Sequence, residues 1–317
     1  MNDSEYELLL FDRIEVIKTI NKKYVLENNA YISFSGGKDS TILHYLIDMA
    51  LPNNRIPRVF INTGIEYNYI VDFVKELAAK DDRFIILQPT QAIKPMLEKY
   101  GYPFKSKQHS HNLAIYWRNK DKKEYNLSLK RYLGIIESNT LFRCPKQLQY
   151  QFTPEFKIKC SDSCCMKMKK EPVKKWQKEN NKTIVLTGMR KEEGGQRASL
   201  KGCIVTDKDK NVIKFHPLLV VDEDFENWFI EKNNIKLCKL YYEPFNFKRT
   251  GCKGCPFSLD LQEQLDVMET YLPNENKQCE LIWKPVYDEY RRLGYRLRKE
   301  GKYKQLTLFD LIDEVKE

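Results

Sequence analysis

The apolar positions of this chain change period several times, and each change marks an element. Between residues 5 and 28, Leu8, Leu9, Phe11, Ile14, Val16, Ile17 and Ile20 recur at roughly helical spacing. They predict an amphipathic helix leading into a first strand. A β-prone run, Ala30 to Phe34, then feeds a small-residue turn that opens into a helical pattern, Thr41 to Leu51, stopped by Pro52-Asn53-Asn54. A strand at Arg58–Asn62, a helix at Tyr69–Ala79 and a strand at Phe84–Leu87 follow on short links. Strand, helix, strand, helix, strand reads as right-handed parallel βαβ units. Thr183–Thr187 and residues 213–220 supply a fourth and a fifth strand, and a helix opens at Asp222. The expectation is an α/β fold, a parallel five-stranded sheet sandwiched by helices, in a domain over residues 1–222. A smaller, mostly helical region covers 223–317.

Residues 100–160 break the pattern. Tyr102, Phe104, His109, His111, Tyr116, Trp117 and Tyr125 are mixed with lysines at weak periodicity. The stretch reads as a surface helical insertion, or as a substrate-facing one that stacks bases and pairs phosphates.

The turn after the first strand carries the chemistry. In Ser35-Gly36-Gly37-Lys38-Asp39-Ser40, two glycines let backbone amides approach an anion with no Cβ in the way. The first amides of the following helix add partial positive charge. Lys38 brings a full charge, and Ser35 and Ser40 bring hydroxyls. This is a polyphosphate site, but its Gly-to-Lys spacing is too short for a Walker A loop. The hexapeptide resembles the SGGxDS pyrophosphate loop of adenine nucleotide α-hydrolases, a Rossmann-like superfamily. That resemblance implies cleavage of ATP between its α and β phosphates. Lys38 and Asp39 are its catalytic candidates, with Mg2+ beside Asp39. Thr63-Gly64-Ile65-Glu66 resembles the segment that lies near adenosine in sulfate-assimilation relatives. Gly188-Met189-Arg190, with Arg197 beyond, resembles a G-x-R-x-x-E...R pattern in which glycine lies beside nucleotide and arginines face phosphate.

Composition narrows the class. Apolar content of 42% and 12% aromatics exclude a disordered chain. No apolar run approaches the roughly 20 residues of a membrane span, and the acidic N-terminus lacks the features of a signal peptide. A cytoplasmic protein with no membrane partner is expected. A net charge of +10 suggests a polyanionic partner or simply a lysine-rich proteome.

Nine cysteines in a reducing compartment are thiols rather than disulfides. Cys164-Cys165 and the Cys252-x-x-Cys255 pair are separated by 86 intervening residues. Four thiolates suit zinc or an iron–sulfur cluster. An adjacent pair, whose side chains point apart, fits the larger cluster better. The spacing resembles the 4Fe–4S site of assimilatory adenylylsulfate reductases, and Arg249-Thr250-Gly251-Cys252...Cys255-Pro256 resembles a signature of the phosphoadenosine-phosphosulfate reductase family. Cys144 and Cys160 are possible replacement ligands.

Two chemistries in that family compete. Its reductases take a nucleophilic cysteine from an ECG-x-H segment, and here Cys279 lacks the Gly and His. With Gly-Gly, Lys38 and Asp39 intact, the chain is most similar to the iron–sulfur ATP pyrophosphatase components of DNA phosphorothioation systems. That similarity implies a DNA substrate and a cysteine desulfurase as sulfur donor; reduction of adenylylsulfate, tRNA thiolation and a non-catalytic nucleotide-binding module are the alternatives. Residues 305–309, Gln-Leu-Thr-Leu-Phe, resemble a peptide that docks on the sliding clamp, and read more readily as part of an amphipathic terminal helix.

Overall fold

The computed structural model describes residues 2–119, 125–137, 143–194 and 197–299; residues 305–309, with their expected clamp-docking or helical role, lie outside them. In chain order the helices and strands are α1 (Asp3–Tyr24), α2 (Leu26–Asn29), β1 (Ala30–Ser33), α3 (Lys38–Ala50), β2 (Arg58–Ile61), α4 (Asn68–Ala78), β3 (Phe84–Leu87) and α5 (Ile93–Tyr100). Then come α6 (Lys107–Asn119), α7 (Leu127–Tyr132), α8 (Ser163–Cys165) with a π-helical turn (Met166–Lys170), α9 (Glu171–Glu179) and β4 (Ile184–Leu186). The chain continues with β5 (Ile204–Thr206), β6 (Val212–Phe215), α10 (Glu223–Lys232), α11 (Leu261–Tyr271) and α12 (Pro273–Leu293). No helix among the described residues is long and apolar enough to cross a membrane.

The sheet has six strands in the order β3-β2-β1-β4-β6-β5. Five are parallel, as the sequence pattern predicts, and the sixth, β5, pairs antiparallel with β6 at the edge. This extra strand corrects the five-stranded expectation. Its three residues are too short to show a period, and it forms because the Asp207–Asn211 turn folds it back on β6. The first helix also divides: Val25 adopts a left-handed φ of 49° and separates α1 from α2. The strand expected over 213–220 ends at Phe215, where Pro217 begins a turn.

One face of the sheet carries the main core. Ile17 and Ile20 of α1, Ile42, Leu43, Leu46 and Ile47 of α3, and Phe225 and Phe229 of α10 pack there against Ile32 and Leu186. The other face is thinner, with Tyr31, Val59 and Trp176 of α9 at its centre. Consecutive strands run outward from β1 in opposite directions, through β2 on one side and β4 on the other. That reversal is a topological switch point, where open α/β sheets form a ligand crevice at the carboxyl ends of strands.

The chain groups into two units, 1–99 with 163–253 and 100–162 with 254–317. The boundary expected at 222–223 falls inside the first unit, because α10 completes its core. In the second unit the aromatics of the irregular stretch turn inward: Phe104, His109 and Tyr132 are buried. The His109 ring nitrogens meet the Tyr132 hydroxyl and the Gln151 side-chain oxygen, each at 2.6 Å. Phe104 packs edge-on against Tyr290 of α12, whose hydroxyl donates to the Pro256 carbonyl.

Candidate phosphate site

The first unit holds a cavity of about 640 Å³ at the switch point, lined by Ser35, Gly37, Lys38, Asp39 and Ser40 from the turn and α3. Gly188, Arg190, Glu192, Glu193 and Arg197 after β4, Glu223 of α10, and Tyr241, Lys248, Arg249 and Thr250 complete the lining. The glycines have specific reasons to be there. Gly36 has φ of +73°, and a Cβ on it would meet Ile70 at 2.9 Å. At Gly188 a Cβ would lie 2.7 Å from the carbonyl oxygen of Asp39, so only glycine lets the end of β4 approach the first turn of α3.

α3 begins at Lys38, three residues before the periodic pattern, because Ser40 and Thr41 hydroxyls both donate to the Gly37 carbonyl. Its first amide, that of Lys38, donates to the Tyr241 hydroxyl at 3.0 Å, which is in turn 2.8 Å from Thr250 Oγ1. Ser35 and Ser40 hydroxyls face each other at 3.0 Å. The donors of an anion site are thus gathered on one turn.

The charges are arranged in opposed pairs. Lys38 Nζ lies 3.1 Å from Glu223 Oε1 and 3.3 Å from Glu226 Oε2. Arg190 Nε lies 3.2 Å from Glu226 Oε1 and 3.8 Å from Asp39 Oδ1, and its Nη1 is 2.5 Å from Glu192. Glu193 pairs with both Arg197 and Arg249. The Glu226 side chain is 0% exposed, and neither oxygen has an aligned hydrogen bond among the described residues. Burial and the neighbouring charge of Asp39 raise the pKa of Glu226; burial raises that of Asp39 against the pull of Arg190.

A second cavity of about 550 Å³ shares Ser33, Ser35 and Thr250 with the first and runs along the thinner face of the sheet. Tyr31, Val59, Ile61, Val173 and Val185 make it apolar, and Lys170, Lys174 and Lys214 also line it. Thr63 and Gly64 line neither cavity. The amide and hydroxyl of Thr63 donate to the Glu66 carboxylate, at 2.7 Å and 2.8–2.9 Å, and Glu66 itself lines the second cavity.

All nine cysteines are free thiols. Cys164 is buried and Cys165 half-buried, immediately before the π-helical turn. Cys252 sits beside Lys169, which also lies 3.1 Å from Glu66. Burial raises the Cys252 pKa and Lys169 opposes it, with Cys165 near enough to add repulsion. Cys255 belongs to the second unit. Among the described residues no three of His, Cys, Asp or Glu converge as a metal-holding group. Cys279, the reductase-nucleophile candidate, is 0% exposed beneath Gly254, where a Cβ would meet its sulfur at 2.8 Å. Cys144 is buried beside Tyr132, and burial pushes its thiol up to about 11; Cys160 is buried too and raised the same way.

Of the residues the sequence pattern singles out, Ser35, Gly37, Lys38, Asp39, Ser40, Gly188, Arg190 and Arg197 line this one cavity. It misses Glu223, Glu226, Tyr241, Lys248 and Arg249. The only trace of the two glutamates is their i, i+3 spacing in the acidic first turn of α10, which otherwise reads as a favourable helix start.

Several known proteins are similar. The uncharacterized protein MJ0973 of Methanocaldococcus jannaschii is 27% identical over 288 residues, covering 88% of this chain. The chain spans 56% of that relative's length. Among solved structures, phosphoadenylyl-sulfate reductase from Candida auris aligns at 17% identity and a TM-score of 0.45, over 80% of this chain and 96% of that one. FMN adenylyltransferase from Candida glabrata aligns at 14% and 0.44, over 80% and 66%. NH3-dependent NAD synthetase from Campylobacter jejuni aligns at 14% and 0.38, over 97% and 99%. The phosphoadenosine phosphosulfate reductase domain matches residues 29–123 and 107–258, well over half of the chain, and the chain belongs to that family.

Proposed function

We propose that this chain is an ATP pyrophosphatase that adenylylates a substrate oxygen for sulfur insertion, acting in DNA phosphorothioate modification. The observation that carries the ATP reading is the charged cavity of about 640 Å³ at the start of α3, which Lys38 and Arg190 line together with the Gly37–Ser40 turn. The adjoining apolar cavity has the character a purine and ribose need, joined to the first through Ser33 and Ser35. The DNA acceptor and the cysteine desulfurase donor rest on the sequence resemblance.

In this reading Lys38, the α3 amides and Arg190 stabilise the charge that grows on departing pyrophosphate. Arg197 and Arg249 leave Glu193 to meet the outer phosphates. Asp39 would hold Mg2+, which neutralises phosphate charge and aligns the leaving group when bound. The 4Fe–4S reading of Cys164, Cys165, Cys252 and Cys255, with zinc as the alternative, rests on the sequence resemblance, since the described residues bring no three such ligands together; Lys169 offsets thiolate charge at Cys252. Burial of Cys279 disfavours the reductase alternative, since a nucleophilic thiolate needs access and a lowered pKa.

The direct test is ATP turnover with Mg2+ and candidate acceptors, followed as AMP and pyrophosphate. Lys38→Ala is expected to lower it about 100-fold or more, the usual effect of removing one transition-state donor. Sulfite release from adenylylsulfate, with no pyrophosphate from ATP, would overturn the proposal. Iron and acid-labile sulfide assays on anaerobically purified protein test the cluster; a zinc-only content overturns it.

A further inference from the structure

Glu226 has no counterpart in the reading above, yet it touches both the half-buried Lys38 and the buried Arg190 at the cavity. Its helix holds it rigidly. α10 is capped by Asp222, whose side chain accepts from the Phe225 amide, and Phe225 and Phe229 anchor it in the main core. Glu223 and Glu226 lie three residues apart and so share a face. Glu223 reaches Lys38 from the exposed side, and Glu226 reaches it from below. Arg190 meets the same buried carboxylate from the end of β4.

The geometry of these contacts is unusual for a structural ion pair. A buried carboxylate ordinarily saturates its oxygens with aligned donors, because an unsatisfied buried charge is costly. Here both Glu226 oxygens and Arg190 Nε lack an aligned donor or acceptor, although opposite charges stand 3.2 and 3.3 Å away and the Asp39 carboxyl lies against Glu226. Glu226 holds the cations by charge rather than by aligned hydrogen bonds, while Lys38 Nζ donates to the exposed Glu223 and Arg190 Nη1 to Glu192, partners at the cavity rim that an anion can displace.

We propose that Glu226 is a positioning residue that fixes Lys38 and Arg190 at a set separation, with their donors left to two linked phosphoryl groups. The proposal rests on the cavity being a polyphosphate site. It deepens that reading by making the site selective for pyrophosphate over single phosphate.

The experiment is calorimetric titration of the full chain with inorganic pyrophosphate and, separately, inorganic phosphate, at pH 9, above the value of about 8 to which burial and Asp39 raise Glu226, so that its carboxylate is ionised. The wild type is expected to prefer pyrophosphate. Glu226→Gln, which keeps the shape and removes the charge, should reduce the ratio of the two affinities about tenfold, the scale of one charge-assisted interaction. Glu226→Asp, which keeps the charge at shorter reach, should restore part of it. A selectivity ratio unchanged in Glu226→Gln overturns the positioning role alone, with the phosphate site left standing. So does an equal loss of affinity for both anions that tracks a loss of thermal stability, which is the mark of a merely structural group. Absence of pyrophosphate binding to the wild type overturns the cavity's reading and this proposal together.

Discussion

The two ends of α3 carry two charge networks, and they are built on opposite principles. At the carboxyl end, Asp48 receives Arg58 at 2.5 Å and Arg83 at 2.8 Å, while Asp81 receives Arg83 at 2.7 Å. Arg58 is fully buried, and every arm of it is used: Nε donates to His44 Nδ1 at 3.0 Å, and Nη1 to Asn54 and to the Ile56 carbonyl. At the amino end, Lys38, Asp39, Arg190 and Glu226 are comparably close but poorly aligned. The pKa shifts divide in the same way. Against the burial that raises it, hydrogen bonds from Arg83 and the charge of Arg58 hold Asp48 below the usual carboxylate range. Burial wins at Asp39 and Glu226, whose values rise. A network that only holds elements together closes its hydrogen bonds. Under the proposed function, the amino-end network leaves its contacts to Glu226 unaligned and forgoes stability for ligand binding.

That contrast is broken most severely from the closed side. Asp48→Ala strands Arg58 and Arg83 without their shared partner and is expected to cost about 3–5 kcal/mol, the scale for one partner of a buried pair. Denaturant unfolding would measure it. Pyrophosphate affinity of the folded fraction should not change. Lys38→Ala should show the reverse, with stability within about 1 kcal/mol of wild type despite the loss of turnover. If Asp48→Ala proves neutral, the carboxyl-end network is not the clamp described.

The two networks also differ in how far the sequence discloses them. The Ser35–Ser40 turn is legible because it is contiguous and because glycine, lysine and a helix start have one joint physical use. Arg190 and Gly188 are legible at the end of a predicted strand. Glu226 is not, since its meaning depends on α10 returning to the start of α3, a contact 188 residues apart in sequence from Lys38. The Asp48–Arg58–Arg83 clamp is invisible for the same reason: three ordinary surface-type charges become internal only when β2 and β3 pair. The parallel order of β1, β2 and β3 follows from alternating periods, whereas β5 has too few residues to show one. The aromatic stretch after residue 100 shows no clear period because Phe104, His109 and Tyr132 pack inward from separate segments.

Acid should separate the networks next. Burial lowers His44 to about 4, with the charge of Arg58 adding to it, and lowers His216 and His109 to about 4 as well. Unfolded histidine titrates near 6.5, so below that pH the unfolded chain binds more protons than the native one. The stability these groups contribute is therefore complete above pH about 6.5 and is lost as pH falls toward 4. Each histidine adds up to about 1.4 kcal/mol per pH unit to the slope. A His44→Gln variant should unfold with a shallower acid slope by that amount. An unchanged slope would mean that His44 is protonated within the clamp, against its hydrogen bond from Arg58.

The finest test concerns Glu223, among the described residues the one carboxylate paired with Lys38 that solvent reaches freely. Its side chain is 63% exposed against 0% for Glu226, so water can replace Lys38 at little cost when an anion arrives. Glu223→Gln should leave stability within about 0.5 kcal/mol, as for an ordinary surface pair. Removing a competing negative charge should tighten pyrophosphate binding about two- to fivefold at low ionic strength, and the gain should fade toward 1 M salt as screening shortens to about 3 Å. Glu226→Gln should behave differently, because a buried charge is screened far less and its effect on selectivity should persist in salt. If Glu223→Gln instead weakens pyrophosphate binding at every salt concentration, Glu223 serves the bound anion directly. The division into an exchangeable outer carboxylate and a fixed inner one would then fail.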